Sequence, residues 1–227
     1  MISIIIPAYN EEESLPHLIR FLESCNNSEH TEIIISDGGS SDGTVAVAES
    51  LGVKVFSSPK KGRASQMNFG ATKASGNILY FLHADTFPPK TFIDDIRQSL
   101  SSEIEAGCFR LTFDYQHFLL KAYSWFTKFD IDFFRFGDQS LFITKALFNK
   151  IGGFDERLIV MEDQKIIWPI KRETKFIIHS NSVVTSARKY IDVGVIRLQV
   201  IFSTIFLMYY LGFSQEQMVK FYKNRIR

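Results

Sequence analysis

The sequence predicts an α/β protein built on a doubly wound, mostly parallel sheet, with helices appended at its C-terminus. Three observations carry that reading. Apolar runs alternate with helix-period stripes through the first hundred residues, the connections between them are short, and the first, second and fourth runs stop on polar residues.

The run "ISIIIP" is continuous and closed by proline, as a strand buried on both faces must be. Glu11 to Cys25 then places Leu15, Leu18, Ile19 and Leu22 at helical spacing behind acids in the first turn. "TEIIISDGG" is a second buried strand, and Ser40 and Ser41 are N-cap candidates for a helix over Asp42 to Leu51. "VKVFSS" is a third strand, Ser65 to Ala74 a third helix, "NILYFL" a fourth strand and Thr91 to Leu100 the next helix. Beyond Ser101 the pattern changes. "AGCFRLTFD" alternates like a half-exposed strand, and a long aromatic helix follows from about Gln116. "SLFITK" and "FIIHSNSVVTS" read as further strands with a helix around Asp163 to Arg172 between them. Eleven of the 22 phenylalanines lie from Phe109 to Phe154, which predicts a second apolar layer, an aromatic-lined pocket, or both.

Composition bounds what this chain can do. Its 227 residues, 45% hydrophobic and 22% charged, supply a full core and exclude disorder. The net charge of +1 and the lack of a basic stripe exclude nucleic acid as a partner. Cys25 and Cys108 are isolated, with no metal spacing, so reduced thiols are expected. "MISIIIPAYNEEE" lacks a basic start and a long apolar run, so it is not read as a signal peptide and a cytoplasmic location is expected.

The C-terminal stretch predicts an appendage. Leu198 to Gln215 is 18 residues without a charge, diluted by Gln199, Ser203, Thr204, Gly212 and Ser214 and flanked by cations. The leading expectation is a helix packed on the domain or in a homodimer. The alternative is a helix docked peripherally on the inner face of the membrane. Residues 1–190 are expected to form the main domain and 191–227 the appendage.

Chemistry in an open parallel sheet sits outside the carboxyl ends of its strands. Those ends read "PAYNEE", "SDGGSSDGT" and "HAD". Asp37 falls at a strand tip suited to accept hydrogen bonds from a base or ribose, beside Gly38 and Gly39, which allow close backbone approach. An ordinary strand–turn–helix connection explains the same residues equally well. Neither GxGxxG nor GxxxxGK[ST] occurs.

In order along the chain, "SIIIPAYNEEESL", "IIISDGGSSDGT", "GRASQMNFGATKASGNILYFLHAD" and "MED" resemble the family 2 glycosyltransferases from Met1 to about Arg172. Those are inverting enzymes of the GT-A nucleotide-diphospho-sugar fold. With "GDQ", "GGF" and "TSARKY" included, the wording is similar to the radical-SAM/selenodomain-associated subgroup, a label that names no sugar.

The resemblance implies that Pro7, Ala8, Tyr9 and Glu11 line the base and ribose and that Asp37 accepts from the base. It sets Gly62 and Arg63 beside the nucleotide, with Gln66 and Asn68 on the next helix. The family's Asp-x-Asp metal motif reads His83-Ala84-Asp85 here. Asp85 is expected to contact the Mn²⁺ or Mg²⁺ that bridges the diphosphate. His83 departs from the motif and is left as a metal ligand, a donor to ribose or phosphate, or a satisfied strand-end histidine.

The catalytic base is expected from Glu162-Asp163, Asp163 first, against the plain alternative of helix N-terminal acids. Gly152, Gly153 and Phe154 fit an acceptor site, and Asp138 and Gln139 are candidates to hydrogen-bond either sugar. Arg188 and Lys189, expected on a loop, would fold over the diphosphate. The expected function is metal-assisted, inverting transfer of a sugar from a nucleotide-diphospho-sugar, a UDP-sugar by family habit, to a hydroxyl acceptor. A membrane-docked C-terminus would suit a lipid-linked acceptor. The rival is a non-catalytic nucleotide-binding or scaffold protein, favoured by the missing first acid of the metal motif. A nucleotidyltransferase is disfavoured because "PAYNEEE" is acidic where a triphosphate would sit.

Overall fold

Strand β1 (Ile2–Ala8) is buried along its apolar run because both of its faces are covered. Ile2, Ile4 and Ile6 join one core with α1 (Ser14–Glu23), α2 (Thr44–Ser50) and α4 (Phe92–Ser99). Ile5 joins a second core with α3 (Arg63–Lys73), α6 (Lys145–Ile151) and α8 (Ile167–Glu173). Period-two alternation inside an unbroken apolar run is what such a strand requires. Each fully buried isoleucine contributes about 1.5–3 kcal/mol. The structure, a computed structural model, describes residues 1–100, 103–131 and 139–226.

Strands β2 (Thr31–Asp37), β3 (Lys54–Ser57) and β4 (Ile78–Phe81) join β1 in the parallel order β3-β2-β1-β4. The sheet then mixes direction. Strand β7 (Leu141–Thr144) runs antiparallel to β4, and β6 (Ala106–Phe113) antiparallel to β7. Strand β8 (Phe176–Thr185) is parallel to β6, and the short β5 (Thr86–Phe87) closes the edge antiparallel to β8. Two reversals restore the original direction, so β6 ends on the same side of the sheet as β1, β2 and β4.

Several local expectations change. The helix after β2 begins at Thr44 with Gly43 as its cap, and neither Ser40 nor Ser41 caps it. Ser40 Oγ instead accepts from the Asn10 N–H at 2.9 Å, and the Asp42 carboxylate accepts from the Thr44 N–H. The helix expected over 163–172 is two pieces, α7 (Glu162–Lys165) and α8. The aromatic helix α5 (Phe118–Phe126) is short. Arg188 and Lys189 are not on a loop but open α9 (Arg188–Val193), because Ala187 is anchored by its N–H to the Asp114 carboxylate at 2.7 Å.

The C-terminal helices α10 (Val195–Tyr210) and α11 (Gln215–Arg225) pack on the domain. Leu198 meets Leu120, Ala187 and Tyr190, and Met218 fills the space between Ile201 and Ile205. Ser214 and Gln217 form a reciprocal capping box that starts α11. Among the described residues no helix is long and apolar enough to cross a membrane.

Candidate functional site

The parallel register pairs Ala8 with Asp37, so β1 and β2 end level with each other. Gln66 fastens them from α3. Its amide donates to the Ala8 carbonyl at 2.7 Å and to the Ser36 carbonyl at 2.8 Å. A Cβ at Gly38 would lie 2.9 Å from that amide, so a side chain there would push Gln66 off its two carbonyls. Asp37 is 3% exposed, and its carboxylate accepts from Gly39 N–H at 2.9 Å and from Ser40 N–H. Asn10 Oδ1 accepts from the Ser41 N–H at 2.8 Å. The turns after β1 and β2 therefore form one body. Ala8 is buried within it and Pro7 half-buried, while the Tyr9 ring stands 53% exposed with the Lys61 ammonium 6.0 Å from its centroid.

Glu11 and Arg188 face each other across this edge at 4.0 Å, an ion pair too long for a hydrogen bond. The Glu11 oxygen concerned is buried and has no hydrogen-bond partner in the structure. Arg188 is held there by its own turn, in which its N–H donates to Ser186 Oγ at 3.2 Å and the Ser186 N–H donates to the Asp85 carbonyl at 3.1 Å. Asp85 is thus fixed by its backbone. Among the described residues nothing hydrogen-bonds its half-buried carboxylate, and no three His, Cys, Asp or Glu side chains cluster to hold a metal. One open carboxylate fits a divalent ion that arrives with a diphosphate and keeps phosphate and water ligands, rather than a preformed cage.

The acidic pair lies opposite. Met161 adopts a left-handed φ of 71°, a turn that points Glu162 inward and leaves Asp163 half-buried at the start of α7. Arg63, the first residue of α3, bridges both: Nη1 is 3.3 Å from Glu162 Oε1 and 3.6 Å from Asp163 Oδ2. Gly62 before it has φ 118°, which lets the chain turn sharply into α3. Burial, then the negative charge of Asp163, push the Glu162 carboxyl up to about 7, against the pull of Arg63 and His83. A void of about 20 Å³, enough for one water, lies between Asp163, His83, Phe81 and Phe154. His83 therefore stands at the acidic pair as much as at the Asp85 edge, and Ala84 between them is buried.

Other expected site residues serve the framework. Asn68 grips the loop after α6: its amide donates to the Phe154 carbonyl, and its Oδ1 accepts from the Phe154 N–H, both at 2.9 Å. Gln66 and Asn68 thus face protein rather than the open edge. Phe154 offers no open face to a sugar; it is 3% exposed and meets Phe81 edge-on at 5.0 Å. Gly153, with φ 71°, packs where a Cβ would lie 2.6 Å from Asn68 Oδ1. Gln139 is buried, its amide 3.4 Å from the carbonyls of Phe109 and Thr127. Asp138 lies outside the described residues. Lys61 and Asp114 were missed. For Lys61 the available signal was "KKGR", adjacent cations leading into a glycine turn.

The model of the family described as glycosyl transferase family 2 matches residues 3–149. The chain belongs to glycosyl transferase family 2. Its undecaprenyl-phosphate 4-deoxy-4-formamido-L-arabinose transferase relative from Proteus mirabilis is 34% identical over 97 residues, 39% of this chain and 30% of the relative. The match thus spans under a third of that curated relative. Among solved structures, a mannosyltransferase of Pyrobaculum calidifontis in complex with GDP-Man and Mn²⁺ superposes with TM-score 0.66 at 15% identity, over 81% of this chain and 56% of the other. Residues 1–349 of S. aureus TarS in complex with UDP superpose with TM-score 0.65 at 19% identity, over 82% of this chain and 60% of the other. At such identities the likeness is one of fold, the GT-A fold. Glu162 and Asp163 lie beyond the matched residues, so the family 2 model does not reach the acidic pair.

Proposed function

We propose that the protein transfers a sugar from a nucleotide-diphospho-sugar, with UDP as the nucleotide, to a hydroxyl acceptor with inversion. The observation that carries the reading is the acidic pair. Two carboxylates share one guanidinium, burial raises the pKa of Glu162, and Asp163, half-buried at the start of α7, is the more open of the two to an acceptor hydroxyl. As the acceptor oxygen bonds to the anomeric carbon, the bond from that carbon to the diphosphate oxygen breaks. The hydroxyl proton passes to Asp163 and the electron pair leaves with the nucleotide. The donor lies along the opposite edge, its base by Tyr9, Asp37 and Glu11 and its diphosphate by Asp85 and Arg188. Mn²⁺ or Mg²⁺ bound there would offset the charge of the leaving group. Arg188 supplies bidentate phosphate contacts once it turns from Glu11.

The Mn²⁺ and nucleotide ligands of the structural neighbours support a metal-assisted nucleotide-sugar reaction. The lipid phosphate in the relative's name supports a lipid-linked acceptor. The test is a thermal-shift panel of UDP, GDP, CDP, ADP and dTDP with and without each metal. A nucleotide at about 100 times its Kd adds about 2.7 kcal/mol, roughly 5–10 °C for a chain of this size. A metal-dependent shift with UDP is expected. Silence across the panel would return the scaffold reading.

A further inference from the structure

An open cavity of about 370 Å³ lies between β6 and α5, away from the donor edge. Three cations, Arg110, Lys121 and Lys128, line it with Tyr115, Trp125 and Ser182, and no carboxylate is among its described lining residues. The chain as a whole carries only +1, so this concentration of one sign is local.

Arg110 gives the cavity its chemistry. Its Nε is shielded from solvent and has no hydrogen-bond partner in the structure. A buried charged donor without an acceptor is costly, and such groups are normally satisfied. That atom lies behind the wall, so an anion in the cavity would meet Arg110 where it lines the wall, together with the ammonium groups of Lys121 and Lys128. The aromatic wall is also organised: the Lys128 ammonium sits 3.8 Å from the Trp125 ring centroid and 4.9 Å from that of Phe129. Three cations match the charge of about −1.5 to −2 on a phosphate monoester better than the single charge of a carboxylate.

Its position ties the cavity to the reaction. Cys108 and Arg110 are two apart on β6 and so share one face of the sheet, about 7 Å apart along the strand. Cys108 lines the small void that Asp163 also lines. Arg110 pairs with Ser182 on β8, another residue of the cavity wall. Arg110 thus lies two residues along β6 from the void beside the acidic pair. On its other side the cavity is walled by the exposed Trp125 of α5.

We propose that this cavity is the acceptor subsite and takes a phosphate monoester carried on an apolar group. The phosphate sits on Arg110 and Lys121, and the apolar part lies against Trp125 and Tyr115. Its role as acceptor subsite rests on the transfer reading above; its binding of the anion does not.

The chain has two tryptophans, so Trp168→Phe leaves Trp125 as the sole indole reporter. Its emission is titrated with decyl phosphate, with decyl maltoside as the neutral amphiphile and with inorganic phosphate. Expected is a saturable change with decyl phosphate and none with decyl maltoside. Arg110→Met should weaken it roughly tenfold or more. Lys121→Gln, at an exposed position that does not threaten folding, should weaken it by up to about fivefold. Competition by inorganic phosphate would assign a soluble phosphorylated acceptor, and its absence a lipid-borne one. An equal response to decyl maltoside, or unchanged affinity in both folded variants, overturns the proposal. Nucleotide thermal shifts on the same proteins separate the two readings. Loss of decyl phosphate binding with the nucleotide shift intact removes the subsite alone. The converse removes the donor reading and leaves an anion site.

Discussion

Glu32 at the amino edge of the sheet and Glu162 at the carboxyl edge are both nearly closed to solvent, with side chains 8% and 3% exposed, yet their surroundings are opposite. Glu32 accepts from Ser3 Oγ at 2.6 Å, from the Ser75 N–H at 2.6 Å and from its hydroxyl at 2.7 Å, and pairs with Lys54 at 2.5 Å. Burial alone would raise its pKa, but the donors from Lys54, Ser3 and Ser75 outweigh it and hold the carboxyl at about 2. Glu162 shares one half-exposed guanidinium with a second carboxylate, and its pKa rises instead. The amino edge uses a carboxylate to join β1, β2 and the turn before β4. At the carboxyl edge Asp37 is likewise satisfied by backbone N–H groups, but Glu11 and the acidic pair are short of donors, which is the condition for exchanging protons and binding ligands.

That contrast breaks most plainly at Asp163. Asp163→Asn should lower turnover about a hundred- to ten-thousand-fold with little change in melting temperature and an intact nucleotide shift. Unaltered turnover, measured as release of nucleoside diphosphate, would remove Asp163 as the base. Asp85→Ala comes next: it should erase the metal-dependent part of the nucleotide shift, read with and without Mn²⁺, and leave the unliganded melting point in place. At the other edge Glu32→Gln should do the reverse. Losing charge-assisted bonds there should cost about 2 kcal/mol, or roughly 5 °C in melting temperature, while the nucleotide shift of the folded protein stays unchanged.

The contrast also explains what could be read in the sequence. The strand in "ISIIIP" and the stripe Leu15, Leu18, Ile19, Leu22 were legible because burial imposes a period on the chain itself. The reversal at β7 was not, since a short apolar run has no direction in it. Asp85 and Asp163 are singled out by motif alone, and their roles belong to the proposed function. Gln66 and Phe154 were misjudged because an amide or an aromatic ring looks the same in sequence whether it meets ligand or backbone. What closes the site is long-range: Arg63 lies 99 residues from Glu162. No local pattern announces that pair.

The two edges also predict opposite limbs of the stability profile against pH. Glu32 has a folded pKa of about 2, below its ordinary value of 4.5, so its contribution is present above pH 4.5 and lost as pH falls toward 2. Glu162 has a folded pKa of about 7, above the same ordinary value. The folded protein therefore holds a proton that the unfolded chain releases between pH 4.5 and 7, and stability declines as pH rises through that window. The decline should be about 1–2 kcal/mol. Urea melts at intervals from pH 4.5 to 7 measure it. Glu162→Gln should flatten that limb and leave the acid limb in place, whereas Glu32→Gln should do the opposite. A neutral-side decline that survives Glu162→Gln would place the proton on another group and dissolve the distinction between the two edges.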